Sequence, residues 1–230
     1  MPPDAKAGAR RSAGLAATRG EETRRRILEQ AFDVATCEGL EGLTIGRLAQ
    51  ALQLSKAGLF AHFGSKEELQ LATIQTARDR WIARIVQPAM REPRGLARLI
   101  ALYERNMLYA HDSEGGCFFA AASAEFDSRP GPVRDRIAEL MREWLATQAK
   151  AVRLAIAEGH LRADVDPEQL AFELQALKLG ANWARELLAD ERANARALRA
   201  AHARLATSAT AKGQRILKEH PHASQSTRTN

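Results

Sequence analysis

The sequence predicts an all-α protein with an N-terminal three-helix helix-turn-helix domain and a larger C-terminal helical domain, about nine helices in total. Apolar residues recur at helical spacing through most of the chain, and no segment alternates convincingly with the two-residue period of a strand. Ala, Leu and Arg are abundant, and these residues favour helix. With 230 residues, 45% of them hydrophobic, the chain is long enough to bury a sizeable core.

Composition narrows the classes of protein to consider. The net charge of +6 is compatible with a nucleic-acid partner. No apolar run approaches the roughly 18 residues that a membrane helix needs, and the basic N-terminus lacks the apolar core of a signal peptide. Two cysteines, Cys37 and Cys117, do not make a disulfide framework. We therefore expect a cytoplasmic protein.

The chain begins with a segment of weak periodicity. Residues 1–20 combine Pro, Gly and Ala with scattered basic residues, which predicts a disordered basic arm that either contacts phosphates or is simply solvated. Glu22–Glu38 follows as the first helix, and Gly39 is a natural stop. Arg24–Arg26 lie at its start, where the helix dipole disfavours positive charge. A DNA phosphate or a solvated face explains them about equally well.

Two short helices with a tight turn between them follow. Apolar residues fall at i, i+3, i+4 and i+7 after Thr44, which is a good N-cap; they are Ile45, Leu48, Ala49 and Leu52. Ser55 can cap a second helix that places Leu59 and Phe63 on one buried face. No Asp or Glu occurs from Leu43 to Lys66. The pattern favours a helix-turn-helix that enters the DNA major groove over an ordinary helical hairpin.

The residues of this motif carry a family resemblance. Leu54–Leu69, with the sequence LSKAGLFAHFGSKEEL, resembles the end of the DNA-binding domain in TetR-type (TetR/AcrR) transcriptional regulators. The resemblance extends back through Leu43–Leu52 and Thr23–Gly39. It implies an all-helical homodimer, not an enzyme, that represses transcription until a small molecule binds its C-terminal domain.

The second helix of the motif is expected to read DNA with few hydrogen-bonding side chains. The face opposite Leu59 and Phe63 offers small or apolar groups, so we expect methyl contacts to thymine and a contribution from DNA shape. Lys56 is the best candidate for a guanine contact, while the flanking polar residues suit phosphates. The candidate DNA-binding residues are Thr44, Arg47, Ser55, Lys56, Ala57, Gly58, Phe60, Ala61, His62 and Lys66.

Three positions depart from the family pattern and affect specificity rather than fold. Phe60 stands where a Tyr is frequent, so a phosphate-contacting hydroxyl is missing. Ala61 stands where an aromatic residue or His is frequent. Gln53 replaces the usual turn Gly.

Domain boundaries follow from the next helix starts. Ser65 opens an S-x-x-E capping box, and the helix it begins runs to about Val86 before Pro88. We therefore expect a DNA-binding domain over residues 21–86, a ligand-binding and dimerisation domain over 87–206, and a flexible tail over 207–230.

The C-terminal domain is expected to enclose a ligand pocket. Cys117–Phe126 is apolar on all sides and should lie at its centre. A mostly uncharged lining suggests an apolar or aromatic effector, with no cofactor. The candidate ligand-binding residues are Tyr103, Met107, Cys117, Phe118, Trp144, Phe172, Gln175, Asn182 and Trp183.

A heptad seam predicts a dimer interface. After the helix start at Asp166-Pro167, apolar residues repeat at intervals of four and three, the spacing of helices that pack at a shallow angle. Packing within the chain is the alternative. The candidate interface residues are Leu170, Leu174, Leu177, Ala181, Ala184, Leu188, Ala197, Leu198, Ala201 and Leu205.

Other functions fit the sequence less well. His111, Asp112, Glu114 and Cys117 are close in sequence and could form a metal- or thiol-dependent sensor, but their spacing matches no established motif. A constitutive DNA-binding protein without an inducer is the remaining alternative. No metal site and no catalytic residue are predicted.

Overall fold

The computed structural model describes the backbone of residues 5–111 and 115–220, and the side chains of residues 20–110 and 115–220. Within these ranges the chain is all-helical, with eleven α-helical segments and no strand. It divides into two compact units, one ending at Thr76 and the other beginning at Ala77. The fold class predicted from the sequence is confirmed; short segments raise the number of helices above the nine expected.

The N-terminal unit is built from α1 to α4. Their bounds are α1 Ala5–Glu38, α2 Ile45–Ala51, α3 Lys56–Phe63 and α4 Lys66–Trp81, the last of which continues into the second unit. The predicted caps are present: Thr44 Oγ1 accepts from the Arg47 N–H, and Ser55 Oγ accepts from the Gly58 N–H. α1 stops where expected, since Gly39 has a φ of 82° and its N–H bonds to the Ala35 carbonyl.

The start of α1 differs from the prediction. The sequence predicted a disordered arm over residues 1–20 and a helix from Glu22, whereas the helix begins at Ala5. Alanine and arginine are strong helix formers, and they are frequent in this segment. Their intrinsic preference is enough to continue a helix that has no amphipathic pattern there. Residues 1–4 and the side chains of residues 5–19 lie outside the described part of the chain.

The C-terminal unit packs its long helices around one apolar core. A π-helical turn at Ile82–Val86 follows α4, and the remaining helices are α5 Gln87–Ala89, α6 Leu96–His111, α7 Phe118–Phe126, α8 Pro132–Ala157, α9 Pro167–Leu188, α10 Ala193–Ser208 and α11 Ala211–Glu219. Asp166 caps α9 as predicted, because its side chain accepts from the N–H groups of Glu168 and Gln169. The division between the units falls inside α4 rather than after residue 86.

The predicted flexible tail over residues 207–230 begins instead with an ordered helix. In α11, Leu217 is buried, and the Thr210 side chain donates to the Gly159 carbonyl at 2.6 Å. A Cβ at Gly213 would overlap the His160 carbonyl oxygen, so glycine permits this close approach. The only large apolar residues of α11, Ile216 and Leu217, are adjacent, so the sequence shows no repeated apolar spacing there. Residues 221–230 lie outside the described range.

The heptad seam of α9 packs within the chain. Leu170 and Leu174 are fully buried and Ala181 nearly so, in the same core as the α10 residues Ala197, Leu198, Ala201 and Leu205. Leu177 and Ala184 are partly buried against that core. Packing within the chain therefore covers most of the seam, while Leu177, Ala181, Ala184 and Ala197 also line an open groove between α9 and α10. At these four positions the dimer interface stays a prediction. Only Leu188, the last of the seam, is exposed.

One backbone position offers a test of the helix-turn-helix geometry. Gln53 has a φ of 55°, a left-handed conformation that costs a residue with a Cβ more than it costs glycine. Gln53→Gly is therefore expected to raise the free energy of unfolding by about 0.5–1 kcal/mol. Thermal and urea denaturation followed by circular dichroism measure this change.

Gln30→Gly provides the matched control in the middle of α1. There glycine is expected to lower stability by about 1 kcal/mol. If Gln53→Gly destabilises the protein as much as the control does, the left-handed turn is wrong.

Candidate nucleic-acid interface and ligand cavity

Helix α3 presents one face to solvent and buries the other. Leu59 is 0% exposed and Phe63 is 1% exposed, while the Phe60 ring is 49% exposed. The remaining predicted contact positions on the open face are also exposed, namely Ser55, Lys56, Ala57, Gly58 and Ala61. The outer face therefore carries small side chains and the Phe60 ring, with polar side chains only at its N-terminal end, at Ser55 and Lys56.

Arg24 holds α3 against α1. Its guanidinium lies 4.3 Å from the centre of the Phe63 ring, and its Nη1 donates to the His62 carbonyl at 2.6 Å. A cation over an aromatic face and a charged hydrogen bond to a carbonyl both stabilise this packing. The sequence suggested a phosphate contact or a solvated face for this arginine. Its partners lie far along the chain, where sequence spacing gives no signal.

Two of the predicted DNA-binding cations are paired with carboxylates. Arg47 pairs with Glu38, and Lys66 Nζ donates to Glu41 at both Oε2 (2.8 Å) and the backbone carbonyl (2.9 Å). The motif itself contains no acid, but the fold brings two acids from the preceding segment to its edges. Exposed pairs of this kind contribute little to stability. They do lower the positive charge that Arg47 and Lys66 offer to a polyanion.

Lys56 is in a different position. It makes no ion pair among the residues whose side chains are described, and it is exposed at the start of α3. Its stem lies over α2, since a Cβ at Gly46 would be 3.4 Å from Lys56 Cε. The hydroxyls of Thr44 and Ser55 already accept backbone N–H groups, but each keeps its own O–H for donation to a phosphate. His62 is half-buried beside Phe63.

The C-terminal unit contains a partly open cavity of about 200 Å³. The end of α4, the π-helical turn and four further helices, α6 to α9, contribute to its wall. Most of the lining is apolar or aromatic, and the polar members come from α4, α6, α8 and α9. The lining residues are Arg78, Trp81, Ile82, Val86, Asn106, Cys117, Phe119, Ala120, Leu140, Met141, Glu143, Trp144, Thr147, Gln175, Lys178 and Leu179.

Two tryptophans fix the orientation of two amides in this wall. Trp81 and Trp144 meet edge to face, with ring centres 4.4 Å apart. Trp81 Nε1 donates to Asn106 Oδ1 at 3.3 Å, and Trp144 Nε1 donates to Gln175 Oε1 at 3.0 Å. An indole nitrogen can only donate, so each amide must turn its oxygen toward the indole. The NH2 group of each amide then points away from its tryptophan.

A lysine and a cysteine lie together in the same wall. Lys178 is 4% exposed and Cys117 is 5% exposed, and Lys178 Nζ donates to Cys117 Sγ. Asn182 accepts the Cys117 N–H at 2.9 Å, which fixes the start of α7. The sequence prediction missed Lys178. One sign of this site was present in the sequence: Lys178 is a charged residue on a face of α9 whose other residues are largely apolar.

The structure places the predicted pocket residues in four groups. Asn182 does not line the cavity, and its side chain instead accepts the Cys117 N–H at the start of α7. Cys117, Trp144 and Gln175 line the cavity. Tyr103, Met107 and Phe118 are buried in the core but do not line it, and burial raises the pKa of the Tyr103 phenol. Phe172 and Trp183 were placed wrongly, because they are 61% and 56% exposed on α9. Helical spacing identified the helix but not which of its faces turns inward.

Helix α9 carries an exposed apolar stripe beside the buried seam. The stripe consists of Phe172, Ala176, Leu179, Trp183 and Leu187, spaced by four and three residues and then by four. It borders an open groove between α9 and α10 that is lined by small residues, including Gly180, Ala193 and Ala200. Ion pairs from Arg204 to Glu173 and from Arg196 to Asp190 flank the groove. A contiguous exposed apolar surface of this kind marks an interaction site.

The alternative sensor site is only partly described. The His111 side chain and residues 112–114 lie outside the described ranges. Cys117, the fourth member, lines the cavity next to Lys178. Elsewhere in the described chain no group of three potential metal ligands occurs, and no helix combines the length and hydrophobicity of a membrane span.

Family models match both units of the chain. The model for bacterial regulatory proteins of the tetR family matches residues 27–73, and the model for the tetracyclin repressor-like C-terminal domain matches residues 95–201. Among curated proteins, the HTH-type transcriptional regulator TcmR of Streptomyces glaucescens is 28% identical over 207 residues, covering 75% of this chain and 91% of TcmR.

Solved structures give the same result. A TetR transcriptional regulator from Chloroflexus aurantiacus J-10-FL has a TM-score of 0.73 and 30% identity, and the match covers 83% of this chain and 95% of that one. AibR, solved in complex with isovaleryl coenzyme A and operator DNA, has a TM-score of 0.58 and 25% identity, covering 70% and 84%. The matched proteins are regulators rather than enzymes. This chain therefore belongs to the TetR family of bacterial transcriptional regulators.

Proposed function

We propose that this DNA-binding regulator is a repressor that binds a pseudo-palindromic operator as a homodimer and is released by a small molecule in the C-terminal cavity. The observation that carries the proposal is the exposed, acid-free outer face of α3, held in place by buried Leu59 and Phe63. A protein with this role acts where bacterial DNA lies, in the cytoplasm.

Base recognition rests on close approach and methyl contacts. Ala57, Gly58, Phe60 and Ala61 are exposed on the face that enters the groove and offer no side-chain hydrogen bond to a base edge. Apolar groups of this kind contact the thymine methyl. Lys56, at the N-terminal end of α3, is the charged member of this face and contacts guanine or a phosphate.

Dimerisation uses the exposed stripe of α9 and the groove between α9 and α10. Phe172, Trp183 and Leu187 are each more than half exposed, which is unusual for large apolar side chains. Aromatic residues are enriched at the centres of such interfaces. Two copies related by a two-fold axis would cover both stripes and present two α3 helices to one duplex.

Release requires an effector that binds better to the conformation that cannot span the operator. The cavity supports this role because it is mainly apolar and is lined by a few polar groups. The similar regulator AibR was solved in complex with isovaleryl coenzyme A and operator DNA, so a chain of this fold can hold a small molecule as well as DNA. Operator binding that no metabolite relieves would instead favour a constitutive DNA-binding protein.

Selection from random duplexes tests the proposed function. The full-length protein is expected to enrich two-fold symmetric sites with half-sites about one helical turn apart or slightly more, and with thymines opposite α3. A compound screen on the selected site should then find molecules that release the protein.

Replacing those thymines by uracil should weaken binding, as measured by fluorescence anisotropy. Unchanged affinity would contradict the methyl contacts, and enrichment of asymmetric sequences would contradict the dimer.

Lys56 and Lys66 are expected to differ in their effect on DNA binding. Lys56→Ala removes a cation that has no described ion pair, so it should lower operator affinity and reduce base discrimination at one position by about 1–3 kcal/mol. Lys66→Ala removes a cation that is already paired with Glu41. It should therefore weaken binding slightly, and by the same factor for every DNA sequence. Titrations of the operator and a scrambled duplex at several salt concentrations separate the two effects.

Glu41→Gln provides the complementary variant. This change removes the carboxylate that pairs with Lys66. It should tighten binding to both duplexes, because a negative charge near the DNA is lost. Equal losses of discrimination in Lys56→Ala and Lys66→Ala would contradict the roles given to these residues.

Trp183→Glu is expected to convert the dimer to a monomer and to abolish operator binding at nanomolar protein. The side chain is 56% exposed in the single chain, so the substitution should leave the fold intact while placing a charge in the apolar interface. Analytical ultracentrifugation and anisotropy measure the two effects. Leu108→Glu, at a 43% exposed position of α6, is the control and should remain dimeric. A dimeric Trp183→Glu protein would place the interface elsewhere.

A further inference from the structure

The polar groups of the cavity differ in where they lie and in what they can do. Arg78 is within 3.9 Å of Glu143 and 3.7 Å of Asp79, and all three side chains are at least one-third exposed. Arg78 is thus paired with carboxylates at the solvent side of the wall. Lys178 lies deeper, is 4% exposed, and makes no ion pair with a carboxylate among the described side chains.

A buried ammonium with only a thiol for a partner is poorly compensated. Removing a charge from water costs several kcal/mol, and a neutral sulfur is a weak acceptor that recovers little of that cost. Proteins usually place an opposite charge beside such a group. An anion that enters the cavity would supply the missing charge.

The neighbouring amides point to the same kind of ligand. Asn106 and Gln175 turn their oxygens toward the indole N–H groups of Trp81 and Trp144, which leaves their NH2 groups for another acceptor. With Lys178, the deeper wall therefore presents three donor groups. A carboxylate accepts several hydrogen bonds at once and strengthens each of them by its charge.

The other residues of the cavity wall indicate the chemistry of the rest of the ligand. Trp81, Trp144, Phe119, Leu140 and Met141 provide aromatic and flexible apolar surface. The volume of about 200 Å³ is below the usual range of roughly 300–1,000 Å³ for ligand pockets, so the ligand is compact.

We infer that the effector is a small amphipathic carboxylic acid, bound with its carboxylate at Lys178 and its apolar body between Trp81 and Trp144. This inference rests on the proposed function, since it gives the chemical class of the molecule that the cavity holds. It also adds an acidic group to the apolar or aromatic ligand that the sequence predicted. The charge of Lys178 was not part of that prediction because the residue was not placed in the cavity.

The test compares acids with their neutral isosteres on the full-length protein. Phenylacetate, 3-phenylpropionate and hexanoate are titrated by calorimetry beside phenylacetamide, 3-phenylpropionamide and hexanamide. At least one acid is expected to bind about tenfold or more tightly than its amide, because it gains charge-assisted hydrogen bonds to Lys178. If no acid binds more tightly than its amide, the inference is overturned.

Lys178→Met assigns the preference to a residue. Methionine fills similar volume without charge, and replacing a buried charge by an apolar group is often neutral or stabilising, so the variant is expected to fold. It should reduce the preference for acid over amide to less than about threefold. Lys150→Met, the same change at an exposed position of α8, should keep the preference. A Lys178→Met protein that melts like wild type and keeps the full preference overturns the inference.

Operator release separates this inference from the proposed function. If the selected operator is released only by neutral molecules, the protein is still a ligand-responsive regulator, and the acid is excluded as its effector. If a bound acid releases the operator from wild type but not from Lys178→Met, with DNA affinity unchanged in the variant, both proposals are supported.

Discussion

Burial of Leu59 and Phe63 determines how the N-terminal unit can meet DNA. These two side chains fix the rotation of α3, so Ala57, Gly58 and Ala61 are left outside. Arg24 adds a guanidinium over the Phe63 ring and a bond to the His62 carbonyl. Because a helix of eight residues has little stability of its own, its orientation depends on these tertiary contacts. The residues of α3 that remain exposed therefore decide which chemical groups the helix presents to the DNA groove.

In the C-terminal unit, different apolar faces of the same helix have different roles. In α9 one face fills the core through Leu170 and Leu174, and the face of Gln175 and Lys178 borders the cavity. A third face, with Phe172 and Trp183, is left in solvent. One helix thus contributes to folding and to the proposed ligand recognition and assembly. Its sequence is apolar around much of its circumference for three different reasons.

Helix positions and caps could be predicted from the sequence because their causes are local. Thr44, Ser55 and Asp166 each cap the helix that follows, and glycine ends α1. Membership of the family was also readable from the continuous segment Leu54–Leu69.

The contacts between distant residues could not be predicted in this way. Arg47 and Lys66 looked like free cations until the fold placed Glu38 and Glu41 beside them. Lys178 was missed because a period of 3.6 residues does not say which of several apolar faces turns to the core. The same ambiguity applies along α9, where the buried seam and the exposed stripe are offset by two residues.

The positions of the three tryptophans have a practical consequence. Trp81 and Trp144 lie in the cavity wall, with both indole N–H groups bonded to amide oxygens, whereas Trp183 lies in the exposed stripe of α9. Ultraviolet emission from the two wall indoles responds to whatever displaces solvent around them. Emission from Trp183 shifts to shorter wavelength when its ring leaves water. The unlabelled protein thus carries tryptophans that can report both on the proposed occupancy of its cavity and on the proposed association with a second copy.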